Sequence, residues 1–158
     1  MTNMKSPFDP IPAVIADIRR GRMVIVTDDA DRENEGDLVM AAAKVTPNAV
    51  NFMAKFGRGL ICAPIIEERA AQLGLQRMVS QNREFFKTDF TVSVDATRGI
   101  TTGISTKDRA ATIKVLSNPQ SNTSDLIQPG HVFPLQSKAG GVLRLSLIHI
   151  SEPTRPER

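Results

Sequence analysis

Met23-Val24-Ile25-Val26-Thr27-Asp28-Asp29-Ala30-Asp31-Arg32-Glu33-Asn34-Glu35-Gly36-Asp37-Leu38-Val39-Met40-Ala41 decides how this chain is read. Met23 to Val26 is a short apolar run rich in β-branched residues, the pattern of a buried strand. Leu38 to Ala41 is a second apolar run and reads as a second strand. Between them, residues 28–37 hold six carboxylates and one arginine. Side chains of this kind do not enter a core unpaired, so the segment is a loop slung between the two strands.

Charge runs of this length are in most proteins solvated turns. Two features here argue for a site. The loop hangs directly from a buried strand, where sites are commonly carried. It also crowds like charges, and a divalent cation would relieve that repulsion. The calcium helix-loop-helix pattern fails: its sixth and twelfth positions, counted from Asp29, hold Asn34 and Met40, where glycine and glutamate are needed. All-oxygen ligands with room for water and substrate suit magnesium or manganese. Arg32, beside Glu33, offers a planar donor fork to a phosphate or a sugar hydroxyl.

Working outward, Asp9-Pro10 reads as an N-cap followed by a first-turn proline, ahead of Ile11, Val14, Ile15 and Ile18 at helical spacing. Thr46-Pro47 repeats the signal before Val50, Met53 and Ala54. Leu60 to Ala63 reads as a strand ending at Pro64, and Glu67 to Leu73 as a short helix stopped by Gly74. Phe90, Val92 and Val94 alternate with Thr91, Ser93 and Asp95, which predicts a half-buried strand with the polar residues outward. Ser105 and Asp108 predict a capping box ahead of the helix Ala110 to Leu116. Val132 to Leu135 is extended, because Pro134 keeps its predecessor out of the helical region. Helices and strands mix without strict alternation. The expected fold is α+β, a three-layer domain with a mixed twisted sheet flanked by helices.

The chain has 158 residues and a formal net charge of +3, enough for one domain and one core. No apolar run is long enough to span a membrane, and the first residues carry no apolar stretch resembling a secretory signal. Cys62 is the one cysteine; it excludes an internal disulfide and fits a reducing, cytoplasmic compartment. It reads as core packing rather than as a nucleophile. Tryptophan and tyrosine are absent and the basic residues are scattered, so neither a nucleic acid nor a membrane is the expected partner. His131 stands in Gln-Pro-Gly-His-Val-Phe-Pro, between a turn and an extended run. A lone histidine is more often a hydrogen-bonded structural residue than a catalyst; the enzymatic reading is a general acid/base. Thr101, Thr102, Gly103 and Ser105 form a second polar cluster, either a turn with a helix cap or donors around a substrate.

Four segments occur in one order: Asp-Arg-Glu-Asn-Glu-Gly-Asp (31–37), Gly-Ile-Thr-Thr-Gly-Ile-Ser (99–105), Asp108-Arg109 and Pro-Gly-His-Val-Phe-Pro-Leu (129–135). Together they resemble the 3,4-dihydroxy-2-butanone 4-phosphate synthase family of riboflavin biosynthesis. The resemblance implies a magnesium-dependent homodimeric lyase that converts D-ribulose 5-phosphate to a four-carbon ketone phosphate and formate. It makes Glu33 the metal ligand and a substrate contact. It makes Arg32 and Asp37 substrate contacts, with Thr102 and Ser105 as weaker transfers. Asp28, Glu35 and His131 become the catalytic residues. Relatives that continue into a GTP cyclohydrolase-like domain make a bifunctional parent one alternative, and a non-catalytic metal- or anion-binding remnant is another.

The resemblance stops after Arg144. The family continues there through an Arg-x-Gly-His-Thr-Glu-Ala segment whose histidine is the second metal ligand. In this chain Ile148 occupies that register and His149 falls one residue late. Residues 1–144 are expected to be a partial synthase-like domain lacking its C-terminal part. Residues 145–158 are expected to be a foreign, disordered tail, resembling translated adapter sequence. A chain of this kind is expected to be poorly soluble and nearly inactive.

Overall fold

The structure, a computed structural model, describes residues 8–27, 35–85 and 88–137. Helix α1 covers Ile11–Arg19 and ends at Gly21, whose φ of +77° suits a residue without a side chain. Its N-cap is Pro10, not Asp9, and no side chain caps it. The Pro10 carbonyl accepts the N–H groups of Ala13 and Val14, so Asp9 stands one residue too early to cap.

Strands β1 (Val24–Thr27) and β2 (Gly36–Val39) form an antiparallel ribbon in which Val26 faces Asp37 and Thr27 faces Gly36. The ribbon corrects the sequence reading twice. β1 alternates rather than being buried, with Ile25 71% exposed, because a two-stranded ribbon covers only one of its faces. β2 begins two residues early, so Gly36 and Asp37 belong to a strand rather than to the loop.

Thr46 caps α2 (Pro47–Phe52), its Oγ1 accepting the Ala49 N–H at 3.1 Å. The helix widens into a π-turn over Met53–Gly57. Strand β3 (Cys62–Ile66) runs through Pro64 rather than ending there. Among the described residues β3 is a sheet edge, where a missing N–H is tolerated. Helix α3 (Glu67–Gln72) follows, and Gly74 takes φ +65° after it.

Strand β4 (Val94–Ala96), helix α4 (Thr106–Ser117) and strand β5 (Leu126–Ser137) complete the order. β5 is central in a mixed sheet of order β3-β5-β4, parallel to β3 and antiparallel to β4. The fold is therefore α+β, as expected. Val94 and Val132 of the sheet pack with Val50, Leu73, Ile113 and Leu116, each at most 5% exposed. Thr112 of α4 donates to the Asp108 carbonyl and accepts the Ala96 N–H at 2.9 Å, which ties the helix to β4. Arg69 donates to the carbonyls of Leu116, Asn118 and Ser121, which lie at and just beyond the end of α4. These bonds satisfy groups a helix terminus leaves orphaned.

The half-buried strand predicted over 90–95 differs from the observed one. Thr91 and Asp95 are buried, at 0% and 3% exposure, while Phe90 and Val92 are only partly covered. Each buried polar side chain has a partner, Thr91 donating to the Pro134 carbonyl at 3.0 Å.

Candidate functional site

β1 and β2 hold the two ends of the acidic loop together through the Thr27–Gly36 pair. Asp28, Arg32 and Glu33 lie outside the described residues, as do Ile148, His149 and the tail 145–158. Glu35 and Asp37 are described, and both line a groove of about 420 Å³ with Met40, Met53, Leu60 and Cys62. Burial, and secondarily the Asp37 carboxylate, push the Cys62 thiol up to about 12. The thiol is therefore protonated at neutral pH, consistent with packing rather than nucleophilic use. Among the described residues no three histidine, cysteine or acidic side chains gather as a metal site. The described part alone does not supply the expected cation site.

His131 lies within β5, not between a turn and a strand. Cys62 faces Phe133 in the parallel pair, so His131 sits two residues before the point where the groove's Cys62 meets β5. Its Nδ1 is 2.7 Å from Asp95 Oδ2, and its backbone N–H donates to Asp95 Oδ1 at 3.0 Å. The imidazole is 41% exposed and its carboxylate partner 5%. A buried carboxylate thus anchors a histidine that solvent or a ligand can reach.

The loop before α4 closes over this pair. Ser105 caps α4, its Oγ accepting the Asp108 N–H at 3.0 Å. The predicted box is only half formed. The Asp108 carboxylate turns chiefly to the loop: its Oδ2 accepts the Thr101 hydroxyl at 2.8 Å and the Gly103 N–H at 3.1 Å. Those bonds, the Thr101 hydroxyl foremost, hold the Asp108 carboxyl below the usual carboxylate range. Gly103 sits at φ +92°, and a Cβ there would lie 2.1 Å from Asp95 Oδ2 and 2.6 Å from His131 Nδ1. Thr102 is exposed on the same loop.

The structure thus brings Glu35 and Asp37 to one groove and gives His131 a buried partner. It engages Ser105 as a helix cap. Asp95 is missing from the site residues expected from sequence, and Gly103 was singled out there only as part of the polar cluster. Asp108 was legible as a helix-capping partner; Asp95 looked like an outward polar position.

Fold and site together define an α+β domain presenting a carboxylate-anchored histidine and a groove lined by Glu35 and Asp37. Such a pairing suits acid/base chemistry on a small polar substrate. The chain belongs to the 3,4-dihydroxy-2-butanone 4-phosphate synthase family, whose match covers residues 12–146. The 3,4-dihydroxy-2-butanone 4-phosphate synthase of Neisseria meningitidis serogroup B is 54% identical over 138 residues, 87% of this chain and 38% of that protein. The riboflavin biosynthesis protein RibBA of Aquifex aeolicus is 57% identical over 138 residues, 86% of this chain and 34% of that protein. A crystal structure of 3,4-dihydroxy-2-butanone 4-phosphate synthase in complex with two magnesium ions superposes with a TM-score of 0.84 at 48% identity. That match covers 85% of this chain and 63% of that one. The chain therefore spans little more than a third of these curated relatives.

Proposed function

We propose that this domain takes part in converting D-ribulose 5-phosphate to L-3,4-dihydroxybutan-2-one 4-phosphate and formate, in the cytoplasm and as a homodimer. The observation that carries the reading is the buried Asp95 carboxylate holding His131 at 2.7 Å, in a chain whose family match spans residues 12–146. The reaction needs enolisation, a shift of the carbon skeleton and loss of one carbon. Each step moves protons on and off carbon and builds negative charge on neighbouring oxygens. His131 serves as one proton carrier; Asp28 and Glu35 serve as the others. Arg32 forks onto the substrate's phosphate or hydroxyls, and Asp37, Thr102 and Ser105 orient it.

Glu33 is the residue assigned to a magnesium or manganese ion, which when bound would stabilise charge on the substrate oxygens. The two magnesium ions of the similar crystal structure support that choice of metal. The test is formate release from D-ribulose 5-phosphate, by this chain and by the product of its gene read from genomic DNA. Turnover should vanish on exhaustive chelation and in Glu33→Ala, and return with magnesium. Turnover that survives both treatments would overturn the metal assignment, and no formate from either protein would overturn the reaction. A second reading, that the domain forms part of a bifunctional synthase and GTP cyclohydrolase II, is supported on the side of bifunctionality by a 52% identical relative named as a probable bifunctional riboflavin biosynthesis protein.

A further inference from the structure

β4 and β5 do not pair regularly. Val94 faces Val132, yet the next residue, Asp95, faces Ile127, so residues 128–131 bulge out of the ladder. A bulge releases backbone N–H groups that a regular ladder would bind, and it re-aims side chains. Here two side chains take over. Ser93 Oγ accepts the Gly130 N–H at 3.1 Å, and Asp95 Oδ1 accepts the His131 N–H at 3.0 Å. Asp95 could have stopped at that structural duty. Its second oxygen instead meets the His131 ring at Nδ1, 2.7 Å away.

From this geometry we infer that Asp95 is a positioning residue for His131, holding the neutral imidazole as its Nδ1–H tautomer and leaving Nε2 bare to take a proton. The inference deepens the proposed function and rests on His131 being the acid/base there. A carboxylate offers only acceptors, so the nitrogen it touches carries the hydrogen. One carboxylate binding both the backbone and the ring of the same residue also fixes the ring's orientation. Orientation and tautomer together are what a second partner gives a working histidine.

The surroundings keep the pair in place. Gly103 lies against Asp95 Oδ2 and His131 Nδ1 so closely that no Cβ fits, and its backbone is held by the buried Asp108. Gly130 is as tightly placed, since a Cβ there would lie 2.0 Å from the Val94 carbonyl carbon. Two glycines therefore let backbone close in around the carboxylate.

Asp95→Asn separates the structural duty from the positioning one. The asparagine carbonyl can still accept the His131 N–H, but its NH₂ then faces Nδ1. The ring must answer as an acceptor, which moves its hydrogen to Nε2. The measurement is a long-range ¹H–¹⁵N correlation on the histidine-labelled full chain. His149 is the only other histidine, and His149→Gln identifies its signals. The wild type should show Nδ1–H with bare Nε2, and Asp95→Asn the reverse. The variant's kcat should fall about 10²–10⁴-fold with little change in KM.

A wild-type spectrum showing Nε2–H overturns the inference whether or not the variant folds. So does an unchanged tautomer in the variant, or a flipped tautomer with undiminished kcat. If the tautomers behave as stated but neither this chain nor the product of its gene releases formate, the proposed reaction fails while the assignment of Asp95 to the ring stands.

Discussion

Gly103→Ala is the sharpest probe of the loop that closes over His131. The new Cβ would lie 2.1 Å from Asp95 Oδ2, 2.5 Å from its Cγ and 2.6 Å from His131 Nδ1. Two costs follow. An L-residue at φ +92° carries left-handed strain of about 1–2 kcal/mol. The methyl group also prises apart a hydrogen bond to a charged group, worth about 1.5–3 kcal/mol. The sum is about 3–5 kcal/mol, a large part of a domain's usual total of about 5–15 kcal/mol. For a chain of this size each kcal/mol lowers Tm by roughly 2–4 °C, so the variant should melt about 6–20 °C lower.

Gly99→Ala is the matched control. Gly99 has φ +74°, and a Cβ there meets nothing within 4 Å. It carries the strain alone, roughly 2–8 °C by the same conversion. Calorimetric or circular-dichroism melts of the two variants isolate the clash by difference. If both melt within about a degree of each other, the Gly103 backbone does not press on the Asp95–His131 pair, and the account of the loop is wrong.

Two further predictions concern groups whose proton affinity is displaced. Cys62, pushed to about 12 chiefly by burial, should be alkylated by iodoacetamide at pH 8 about 10³-fold more slowly than a free cysteine. Asp37→Asn should speed the reaction by removing the nearby charge; an unchanged rate would place Asp37 away from the thiol. Asp108 is held below the usual carboxylate range by the Thr101 hydroxyl and by the neighbouring N–H groups. Its folded-state pKa is depressed, so its ionised form stabilises the fold above the unfolded value of about 3.9 and that contribution is lost as pH falls through the folded value. The stability gap between wild type and Asp108→Asn, from urea unfolding, should therefore be wide at pH 7 and shrink in acid. A gap that stays constant between pH 7 and pH 3 would count against it.

Features governed by near neighbours were legible in the sequence. Thr46 before Pro47 capped α2, Gly21 and Gly74 followed α1 and α3, and Ser105 capped α4. Each depends on groups within one helical turn. The two strands flanking the acidic segment were legible from their apolar runs. Their register was not. Whether Asp37 lies in a loop or opposite Val26 depends on which residue of β1 it meets, and the sequence of β2 alone does not contain that information.

The anchoring of His131 shows the same divide at the site itself. Asp95 and His131 are separated by 36 positions, and the bulge between Val94 and Asp95 brings them together. Alternation assumes a regular strand and so sends every polar residue outward. A bulge breaks the alternation, and its released N–H groups are what make burying a carboxylate tolerable. The residue that looks most like surface in 90–95 is thus the one most committed to the interior chemistry. Asp108 follows the same logic: the position is a helix-cap partner in sequence, while its carboxylate is spent on Thr101 and Gly103. The imidazole can be found from its residue type and motif. The carboxylate and the glycine that hold it acquire their roles only when β4, β5 and the loop before α4 are packed together.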